Sequence, residues 1–400
     1  MMMLLMTTAA LAGCAGSDIT QADVDAAKDE GYAEGVAVTE AKYASTLDEI
    51  MTRGTLNCGV KTSQYGMGYV DADSGERSGL DVSYCQAIAA ALGVTVTYID
   101  ATDANTRFSL LESEAMDVLI RTTTWTTSRD AGLNADFAGI NFFDGQGVLV
   151  SENSFSAATA GNSVTGLDGA NICVGTGTTT EGNLQDYFAF HGISFTPVNV
   201  QFEVDAVERM KDGTCDVFTG DKSAIGGRKV LLDAEDNSGN SLSGGIWMAS
   251  ETLSKEPLAA ATRDNDDDWN DVVTWVWHAL VTAEEFGITA ANADQMATDS
   301  AAEGSTLNPR INTLLNTNPE NSLGTTDNML SADWALNAIK AVGNYGEAYA
   351  AAFCNDYTYD GLGAALADDP LDSSNCWLPR AGSQNALVGH GGLMFAPPIK

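Results

Sequence analysis

Apolar and polar positions in the first part of the chain follow two periods in alternation. Short apolar runs typical of buried strands lie at 56–60, 94–99 and 118–120, and amphipathic stretches typical of helices lie at 80–92 and 108–111. The order strand, helix, strand, helix, strand predicts an α/β unit.

The same order repeats further along the chain. Strands and helices are predicted in turn at 172–174, 183–190, 195–200 and 204–210. The repeat is also visible in the residues, because 111–118 (LESEAMDV) and 210–217 (MKDGTCDV) both begin with a large apolar residue and end on an Asp-Val pair. The pattern therefore predicts two α/β lobes of like construction.

Two apolar segments flank the second lobe, at 145–150 and 258–261, and we interpret them as the two strands of a hinge. Two amphipathic segments at 269–286 and 331–342 are predicted to be helices that return to the first lobe. Predicted helix ends are Gly93, Gly287 and Gly343, and Ser331 is a predicted helix start. This assigns lobe 1 to residues 49–148 and 254–400, and lobe 2 to residues 149–253.

The N-terminus reads as an export signal. Residues 1–13 are apolar but too short to span a bilayer, and 11–14 (LAGC) resemble the lipobox of secreted lipoproteins, which makes Cys14 the predicted lipidation site. No Lys or Arg precedes Lys28, so the usual basic start of a signal is missing. A buried N-terminal strand is the alternative. Residues 15–48 are predicted to be a tether.

Charge excludes one class of function. The chain has 19 Lys and Arg residues against 55 Asp and Glu residues, a formal charge of -36. Nucleic-acid binding depends on basic residues that neutralise phosphates, so we exclude it. The acids suit a solvated surface in a salty medium. The acidic run 264–268 lacks the Gly and distal Glu of a calcium loop, so we interpret it as a helix N-terminus and expect neither a metal nor a cofactor.

Cysteine usage agrees with export. Of seven cysteines, Cys14 is set aside for lipid, and the six that remain predict disulfides. One pairing among several keeps each bridge within a local unit, and it joins Cys58 to Cys85, Cys173 to Cys215 and Cys354 to Cys376. A zinc site is the alternative, but no Cys-x-x-Cys occurs and the three histidines lie far apart.

Candidate chemistry follows the strands, since ligands of parallel α/β sheets bind beyond the carboxyl ends of strands. Arg129 follows the third strand of lobe 1, and its guanidinium suits a carboxylate. In lobe 2, residues 175–181 (GTGTTTE) join a strand to a helix, where N–H groups and hydroxyls hold an anion. Asp221, at the end of the third strand, suits an ammonium group. A surface salt bridge for Arg129 and a loop cap for Asp221 are the alternatives.

Several motifs together resemble a known family. The segments 78–82 (SGLDV), 117–129, 177–181 (GTTTE) and 215–221 (CDVFTGD) are similar to the polar amino-acid-binding proteins of ABC importers. Five further segments are similar, more narrowly, to the general L-amino-acid-binding branch of this family. They are 121–126 (RTTTWT), 143–147 (FDGQG), 284–289 (EEFGIT), 343–347 (GNYGE) and 395–398 (FAPP). The resemblance implies the type 2 periplasmic-binding-protein fold. The segment 354–376 departs from the family pattern, and we interpret it as a surface loop closed by a disulfide.

The resemblance also implies site residues. Arg129 would bind the α-carboxylate, Thr124 and Thr179 would donate to it, and Asp221 and Thr122 would bind the α-ammonium group. Further ligand-binding candidates are Thr178 in the lobe 2 turn, Tyr65 or alternatively Tyr69 over the ligand side chain, and Trp125 and Arg121 beside the site.

The implied function is that of a solute-binding receptor, not an enzyme. Two lobes would close around an L-amino acid and deliver it to the permease subunits of an ABC importer. We expect a monomer outside the cytoplasm, anchored to the membrane by lipid. The alternative is an exported enzyme on the same fold, similar to cyclohexadienyl dehydratase, which would need a further acid in the cleft.

Overall fold

The computed structural model describes residues 26–28, 31, 45–316, 323–354 and 376–399. Contacts divide the chain into two units, Met1–Ala44 and Ser45–Lys400. In the first unit, residues 26–28 and 31 are helical. The predicted signal, Cys14 and most of the predicted tether lie outside the described residues, as does most of the segment between Cys354 and Cys376.

Helices and strands alternate along the second unit. The helices are α1 (Thr46–Arg53), α2 (Leu80–Leu92), α3 (Arg107–Glu112), α4 (Thr127–Asp130), α5 (Ala157–Ala160), α6 (Thr179–His191), α7 (Glu203–Lys211), α8 (Lys222–Ala234), α9 (Asp267–Glu285), α10 (Ala293–Ala301), α11 (Pro309–Leu315), α12 (Trp334–Val342) and α13 (Tyr345–Phe353). The strands are β1 (Thr55–Val60), β2 (Ser63–Gln64), β3 (Gly68–Val70), β4 (Arg77–Ser78), β5 (Thr95–Asp100), β6 (Val118–Leu119), β7 (Ala135–Ser151), β8 (Ala170–Gly175), β9 (Phe195–Val200), β10 (Val217–Asp221), β11 (Ile246–Met248) and β12 (Lys255–Arg263).

The long strand β7 belongs to both lobes. Its first part pairs antiparallel with β12, which also meets β6. Its last part pairs antiparallel with β10 and β11. The complete strand order is β5-β1-β6-β12-β7-β10-β8-β9, with parallel strands β5, β1 and β6 on one side and β10, β8 and β9 on the other. We call the first group lobe 1 and the second lobe 2. The predicted two-lobed α/β fold is confirmed.

Each lobe has its own core. In lobe 1, helices α2, α9 and α12 pack together, and Trp269, Trp277 and Tyr84 are fully buried among aliphatic side chains. In lobe 2, Phe188 and Phe218 are buried on helix α6 and strand β10. Across the described residues, none of these helices combines the length and apolar character needed to cross a membrane.

The structure corrects two predicted boundaries. Helix α12 begins at Trp334 with Asp333 as its cap, so the predicted start at Ser331 is wrong. Helix α1 lies partly within the predicted tether, and its Leu47 and Ile50 are fully buried in the core of lobe 1. This apolar pair packs the helix against the folded unit, and Ser45 and Thr46 at its start donate to the carboxylate of Asp266. The predicted helix end at Gly93 is confirmed, with φ of 69°.

The three predicted disulfides are confirmed. Cys58 bonds Cys85 between β1 and α2, and Cys173 of β8 bonds Cys215, which lies between α7 and β10. Cys354 bonds Cys376, which joins the end of α13 to the final described segment. Each bridge therefore closes a loop within one lobe, as the local pairing predicted.

A buried ion pair holds the last segment against lobe 1. Both guanidinium Nη atoms of Arg380 donate to the carboxylate of Glu284 on α9, at 2.5 and 2.8 Å. Arg380 Nε donates to the carbonyl oxygen of Asn385, and the Tyr345 ring lies 4.4 Å from the guanidinium carbon. Arg380 is 1% exposed and Glu284 is 5% exposed, so each charge depends on the other.

The substitution Glu284→Gln should lower the free energy of unfolding by about 3 to 5 kcal/mol, because it leaves the Arg380 charge buried without its partner. Denaturant titration of the purified protein measures this. Glu303, an exposed carboxylate after α10, serves as the control, and Glu303→Gln should change the unfolding free energy by less than about 0.5 kcal/mol. Equal effects of the two substitutions would contradict the role given to the buried pair.

Candidate ligand-binding site

A cavity of about 60 Å³ lies where the carboxyl ends of the parallel strands from both lobes face each other. Its charged and hydroxyl-bearing lining includes Lys61, Ser63, Thr102, Arg107, Arg121, Thr122, Thr124 and Arg129 from lobe 1, and Thr178, Thr179, Thr180, Glu203, Thr219 and Asp221 from lobe 2. The volume suits a small solute. Seven of the predicted ligand-binding residues line it: Arg121, Thr122, Thr124, Arg129, Thr178, Thr179 and Asp221.

Arg129 is held in place by the short helix α4. The Thr126 side chain caps this helix by accepting from the Arg129 amide, and Nη1 of Arg129 donates to the carbonyl oxygen of Thr124 at 2.8 Å. Arg129 is 8% exposed. Burial lowers the pKa of Arg129, while the charges of Glu256 and Asp221 oppose this. The side chain is therefore a fixed cation at the cavity wall.

The lobe 2 turn brings a helix N-terminus to the cavity. Gly177 has φ of 72° and lies so close to Asn105 of lobe 1 that a Cβ atom there would be 2.4 Å from Asn105 Oδ1. Thr178 caps α6 in extended conformation, and its hydroxyl donates to the Gly175 carbonyl oxygen at 2.6 Å. The first N–H groups of a helix have no intrahelical acceptor, so α6 offers them to an anion.

Asp221 lies at the junction of β10 and α8, and its burial raises the pKa of its carboxyl group well above the usual value. The nearby charge of Asp144 adds to this rise, and Lys61 opposes it. A ligand cation beside Asp221 would favour the ionised form.

Two charged residues that were not predicted join the lobes. Lys61 follows β1 and its Nζ lies 2.6 Å from Oε1 of Glu203, which begins α7 in lobe 2. Burial lowers the pKa of Lys61, against the attraction of Glu203. Burial works to raise the pKa of Glu203, but Lys61 and Arg228 outweigh it and hold that pKa below its usual value.

Further polar contacts cross the cleft. Gln64 Nε2 donates to the Ser223 hydroxyl at 3.1 Å, and Gln201 Nε2 donates to Asp103 at 2.9 Å. Arg228 of α8 donates to the carbonyl oxygen of Ser63. Together with the Lys61 ion pair, these contacts show that the structure is a closed arrangement of the two lobes.

Two more arginines of lobe 1 face the cavity. Arg121, a predicted site residue, donates to the carbonyl oxygens of Ala101 and Thr102, and burial lowers its pKa to about 10. Arg107 was not predicted. It starts α3, it is 2% exposed, and among the described residues its Nε has no hydrogen-bond acceptor. Burial lowers the pKa of Arg107 well below its usual value, and the charges of Arg121 and Arg129 add to this.

Two predicted residues are not brought to the cavity within the described part of the chain. Tyr65 stacks on Trp377 with ring centroids 5.7 Å apart and meets the edge of Tyr69, so an aromatic cluster holds it outside the lining. Trp125 stacks on Phe137 at 5.7 Å and is 37% exposed on the hinge side. Sequence position placed both near the site but did not show which way their side chains point.

The hydroxyls of Thr124 and Thr179 are engaged on the side away from the cavity. Both donate to Oε2 of Glu256, at 2.6 and 2.8 Å. Thr122 donates to Oε1 of Gln64 at 3.3 Å, and its φ of 52° is unusual for a β-branched residue. Such strained backbone is found where the surrounding structure fixes a functional loop.

The unpredicted residues share a signal that sequence analysis could have used. Lys61 follows β1, Arg107 begins the helix after β5, and Glu203 begins the helix after β9. These are the positions where Arg129 and Asp221 were sought, beyond the carboxyl ends of strands. Glu256 differs, since it lies at the start of the hinge strand β12.

Two α/β lobes that share long strands and close over a charged cavity define a two-lobed solute-binding protein. The family model of bacterial extracellular solute-binding proteins, family 3, matches residues 56–353. The chain therefore belongs to this family. The resemblance seen in the sequence motifs is confirmed.

Two known proteins are similar in sequence to nearly the whole chain. The chain is 39% identical to the glutamate/glutamine/aspartate/asparagine-binding protein BztA of Rhodobacter capsulatus, over 91% of this chain and 96% of that protein. It is 37% identical to the general L-amino acid-binding periplasmic protein AapJ of Rhizobium johnstonii, over 90% of this chain and 94% of that protein. Among solved structures, a Brucella ovis periplasmic binding protein with glutathione bound is 36% identical, with a TM-score of 0.73 over 89% of this chain and 100% of that one.

A buried carboxylate lies in lobe 1 near Lys61 and Arg121, two of the cations that line the cavity. Asp81, in the first turn of α2, is 1% exposed, and neither of its carboxylate oxygens has a hydrogen-bond partner among the described residues. Burial raises the pKa of Asp81 to about 6, although the charges of Lys61 and Arg121 oppose this. The folded protein therefore holds a proton at this site more tightly than the unfolded chain does.

Because the folded-state pKa of Asp81 is raised, its contribution to stability is present below about pH 4 and is lost as the pH rises through about 6. Asp81→Asn removes this titration. Between pH 4 and pH 7 the unfolding free energy of the variant should therefore gain about 3 kcal/mol relative to wild type. Denaturant titrations at both pH values measure this. The exposed Asp73→Asn should follow wild type, and parallel pH profiles for Asp81→Asn and wild type would rule the effect out.

Proposed function

We propose that the protein is an extracytoplasmic receptor that binds an L-amino acid between its lobes and delivers it to an ABC importer. Arg129 and the N–H groups at the start of α6 bind the α-carboxylate, and Asp221 binds the α-ammonium group. The names of BztA and AapJ, both amino-acid-binding proteins, support this.

One observation carries the proposal: Arg129 and Asp221 face one small cavity from opposite lobes. A zwitterion bridges them, so its two charges are paired only when the lobes are closed. Such a ligand favours the closed arrangement by its contacts to both lobes at once.

The charges of the cavity favour a ligand with a second carboxylate. Four cations line it, Lys61, Arg107, Arg121 and Arg129, against the carboxylates of Glu203 and Asp221. Lys61 is paired with Glu203, and the zwitterion accounts for Arg129 and Asp221. Arg121 and Arg107 are then left without a carboxylate. Arg121 donates to two backbone carbonyl oxygens, whereas Arg107 is a buried cation whose Nε lacks an acceptor among the described residues. A buried charge is costly without a partner, so we propose that it binds the side-chain carboxylate of an acidic amino acid.

The relatives support this narrower substrate class. BztA is named for acidic amino acids and their amides, and the Brucella protein holds glutathione, a peptide with a γ-glutamyl group. AapJ is named for L-amino acids in general. The unpaired arginine favours the acidic members of these sets for this chain.

The remaining parts of the receptor are proposed from the sequence. Helix α1 together with residues 54–148 and 254–400 forms lobe 1, and residues 149–253 form lobe 2. Cys14 carries a lipid that anchors a monomer outside the cytoplasm, and the permease subunits of the importer are its partners. Tyr65 and Trp125 remain proposed ligand contacts for another arrangement of the lobes.

An L-amino acid at about 100 times its dissociation constant should raise the unfolding free energy by about 2.7 kcal/mol. Thermal unfolding against the twenty L-amino acids measures this, and Arg129→Met should abolish the stabilisation because the carboxylate loses its partner. Arg263→Met is the matched control, since Arg263 also donates to backbone carbonyl oxygens but lies outside the cavity, and it should keep the ligand effect. No stabilisation of wild type by any amino acid would refute the proposal.

The enzyme alternative is tested with the same preparation. Incubation with arogenate or prephenate should leave both compounds unchanged. Product formation that depends on Asp221 or Glu203 would replace the receptor with a dehydratase.

Glutamate should bind more tightly than glutamine, and Arg107→Gln should remove this difference by weakening glutamate about tenfold or more while glutamine changes little. Arg107→Lys keeps the charge and should keep the preference. The ligand-free Arg107→Gln protein should also unfold at a higher temperature, because an unpaired buried cation is gone. Isothermal calorimetry and thermal unfolding measure the two effects. Equal losses of affinity for glutamate and for glutamine would show that Arg107 does not bind the side-chain carboxylate of the ligand.

A further inference from the structure

Glu256 is a buried carboxylate that has no part in the ligand contacts proposed for Arg129, Asp221 and the start of α6. It lies near the start of hinge strand β12, opposite Asp144 of β7, and is 1% exposed. Four side-chain donors converge on it. Thr124 and Thr179 donate to Oε2 at 2.6 and 2.8 Å, and Asn183 and Ser254 donate to Oε1 at 2.9 and 2.5 Å.

These donors come from different parts of the fold. Thr124 follows β6 in lobe 1, whereas Thr179 and Asn183 belong to α6 in lobe 2. Ser254 precedes β12, beside Glu256 itself. Opening of the cleft moves α6 away from lobe 1, so Glu256 cannot keep all four donors when the lobes separate. The carboxylate thus binds both lobes only in the closed arrangement.

The position of Glu256 relative to the ligand cavity is equally specific. Thr124 and Thr179 line the ligand cavity, and they also line a second cavity on the hinge side that Glu256 and Asn183 share. The two threonines therefore form a wall with the ligand on one face and Glu256 on the other.

Proton counting then limits what these threonines can do for a ligand. An ionised carboxylate has acceptor positions for four donors and offers no proton of its own. Each hydroxyl has one proton, and both protons point to Glu256. On the cavity side the hydroxyls of Thr124 and Thr179 are left as acceptors. They suit an ammonium group, and the α-carboxylate is left to Arg129 and backbone N–H groups.

We infer that Glu256 is a positioning residue of the ligand site. It ties Thr124 of lobe 1 to Thr179 and Asn183 of lobe 2 in the closed arrangement, and it turns the two hydroxyls into acceptors for the ligand. It acts through these side chains and does not touch the ligand. The inference rests on the proposed amino-acid function for its ligand, whereas the tie between the lobes stands without it.

The substitution Glu256→Gln keeps the shape but replaces one acceptor oxygen with a donor, which conflicts with two of the four donors. In the full chain it should weaken L-glutamate binding about ten- to a hundredfold, chiefly through faster release. Calorimetry and stopped-flow fluorescence measure affinity and release. Glu251→Gln is the matched control, because Glu251 also accepts from a serine hydroxyl and a backbone amide but lies outside both cavities, and it should leave affinity within about twofold.

A double-mutant cycle separates positioning from simple loss of stability. Thr179→Val should weaken L-glutamate binding in wild type but cost little more in the Glu256→Gln background, because the two residues act as one unit. A purely structural role predicts lower unfolding free energy with unchanged affinity and no coupling between the substitutions. That result would overturn the inference.

Hydrogen exchange of the ligand-free protein tests the tie independently of any ligand. Glu256→Gln should speed amide exchange in both 122–126 and 179–184, since both segments lose the same partner. Unchanged exchange, or a change in one lobe only, would refute the tie. Should wild type fail to bind L-glutamate, the proposed substrate class fails, and the exchange result still decides whether Glu256 joins the lobes.

Discussion

The burial of charge in the cleft is the constraint on which the rest of this protein depends. A chain with a formal charge of -36 gathers four of its few cations around one small cavity, close to several buried carboxylates. Burial shifts these groups against their charged forms, as the lowered pKa of Arg107 and the raised pKa of Asp221 show. Structural stability alone would favour apolar residues here. The arrangement makes physical sense as half of a set of ion pairs that a solute completes.

The architecture makes such a cleft possible by sharing strands between the lobes. Strand β7 pairs with β12 over its first part and with β10 over its last part, so one strand passes through both sheets. The carboxyl ends of the parallel strands then face one another across the crossing point. Lys61 of lobe 1 therefore meets Glu203 of lobe 2, and Arg129 faces Asp221 across the cavity, although 142 and 92 positions separate the members of these pairs in sequence.

Sequence patterns predicted most of the fold, because the strand and helix periods are strong within each lobe. Strand β9 and helix α2 were predicted at their observed bounds, and the local disulfide pairing is the observed one. The start of α12 was missed because Ser331 and Asp333 are both residues that cap helices, and sequence does not show which one does. The rule that ligands bind beyond the carboxyl ends of parallel strands correctly predicted that Arg129 and Asp221 line the cavity. Applied to each strand, it would also have found Lys61, Arg107 and Glu203.

Side-chain direction and long-range partners were the parts beyond sequence reasoning. Tyr65 is turned away by Trp377, a residue more than 300 positions later, and no local pattern contains that contact. The role proposed for Glu256 depends on hydrogen-bond donors from both lobes, and these donors come together only in the folded chain. The family resemblance placed Thr124 and Thr179 beside the ligand, but which way their hydroxyl protons point depends on that distant carboxylate.

The order of segments along the chain has a consequence for biogenesis. Lobe 2 is built from one continuous stretch after the middle of β7, whereas lobe 1 needs β12, α9, α12 and α13, and finally Arg380 against Glu284. A chain that emerges N-terminus first can complete lobe 2 while lobe 1 still exposes the apolar surface that α9 will cover. Lobe 1 therefore matures only after nearly the whole chain has been delivered, and this interval is when an exported receptor of this design is most exposed to proteases and to aggregation.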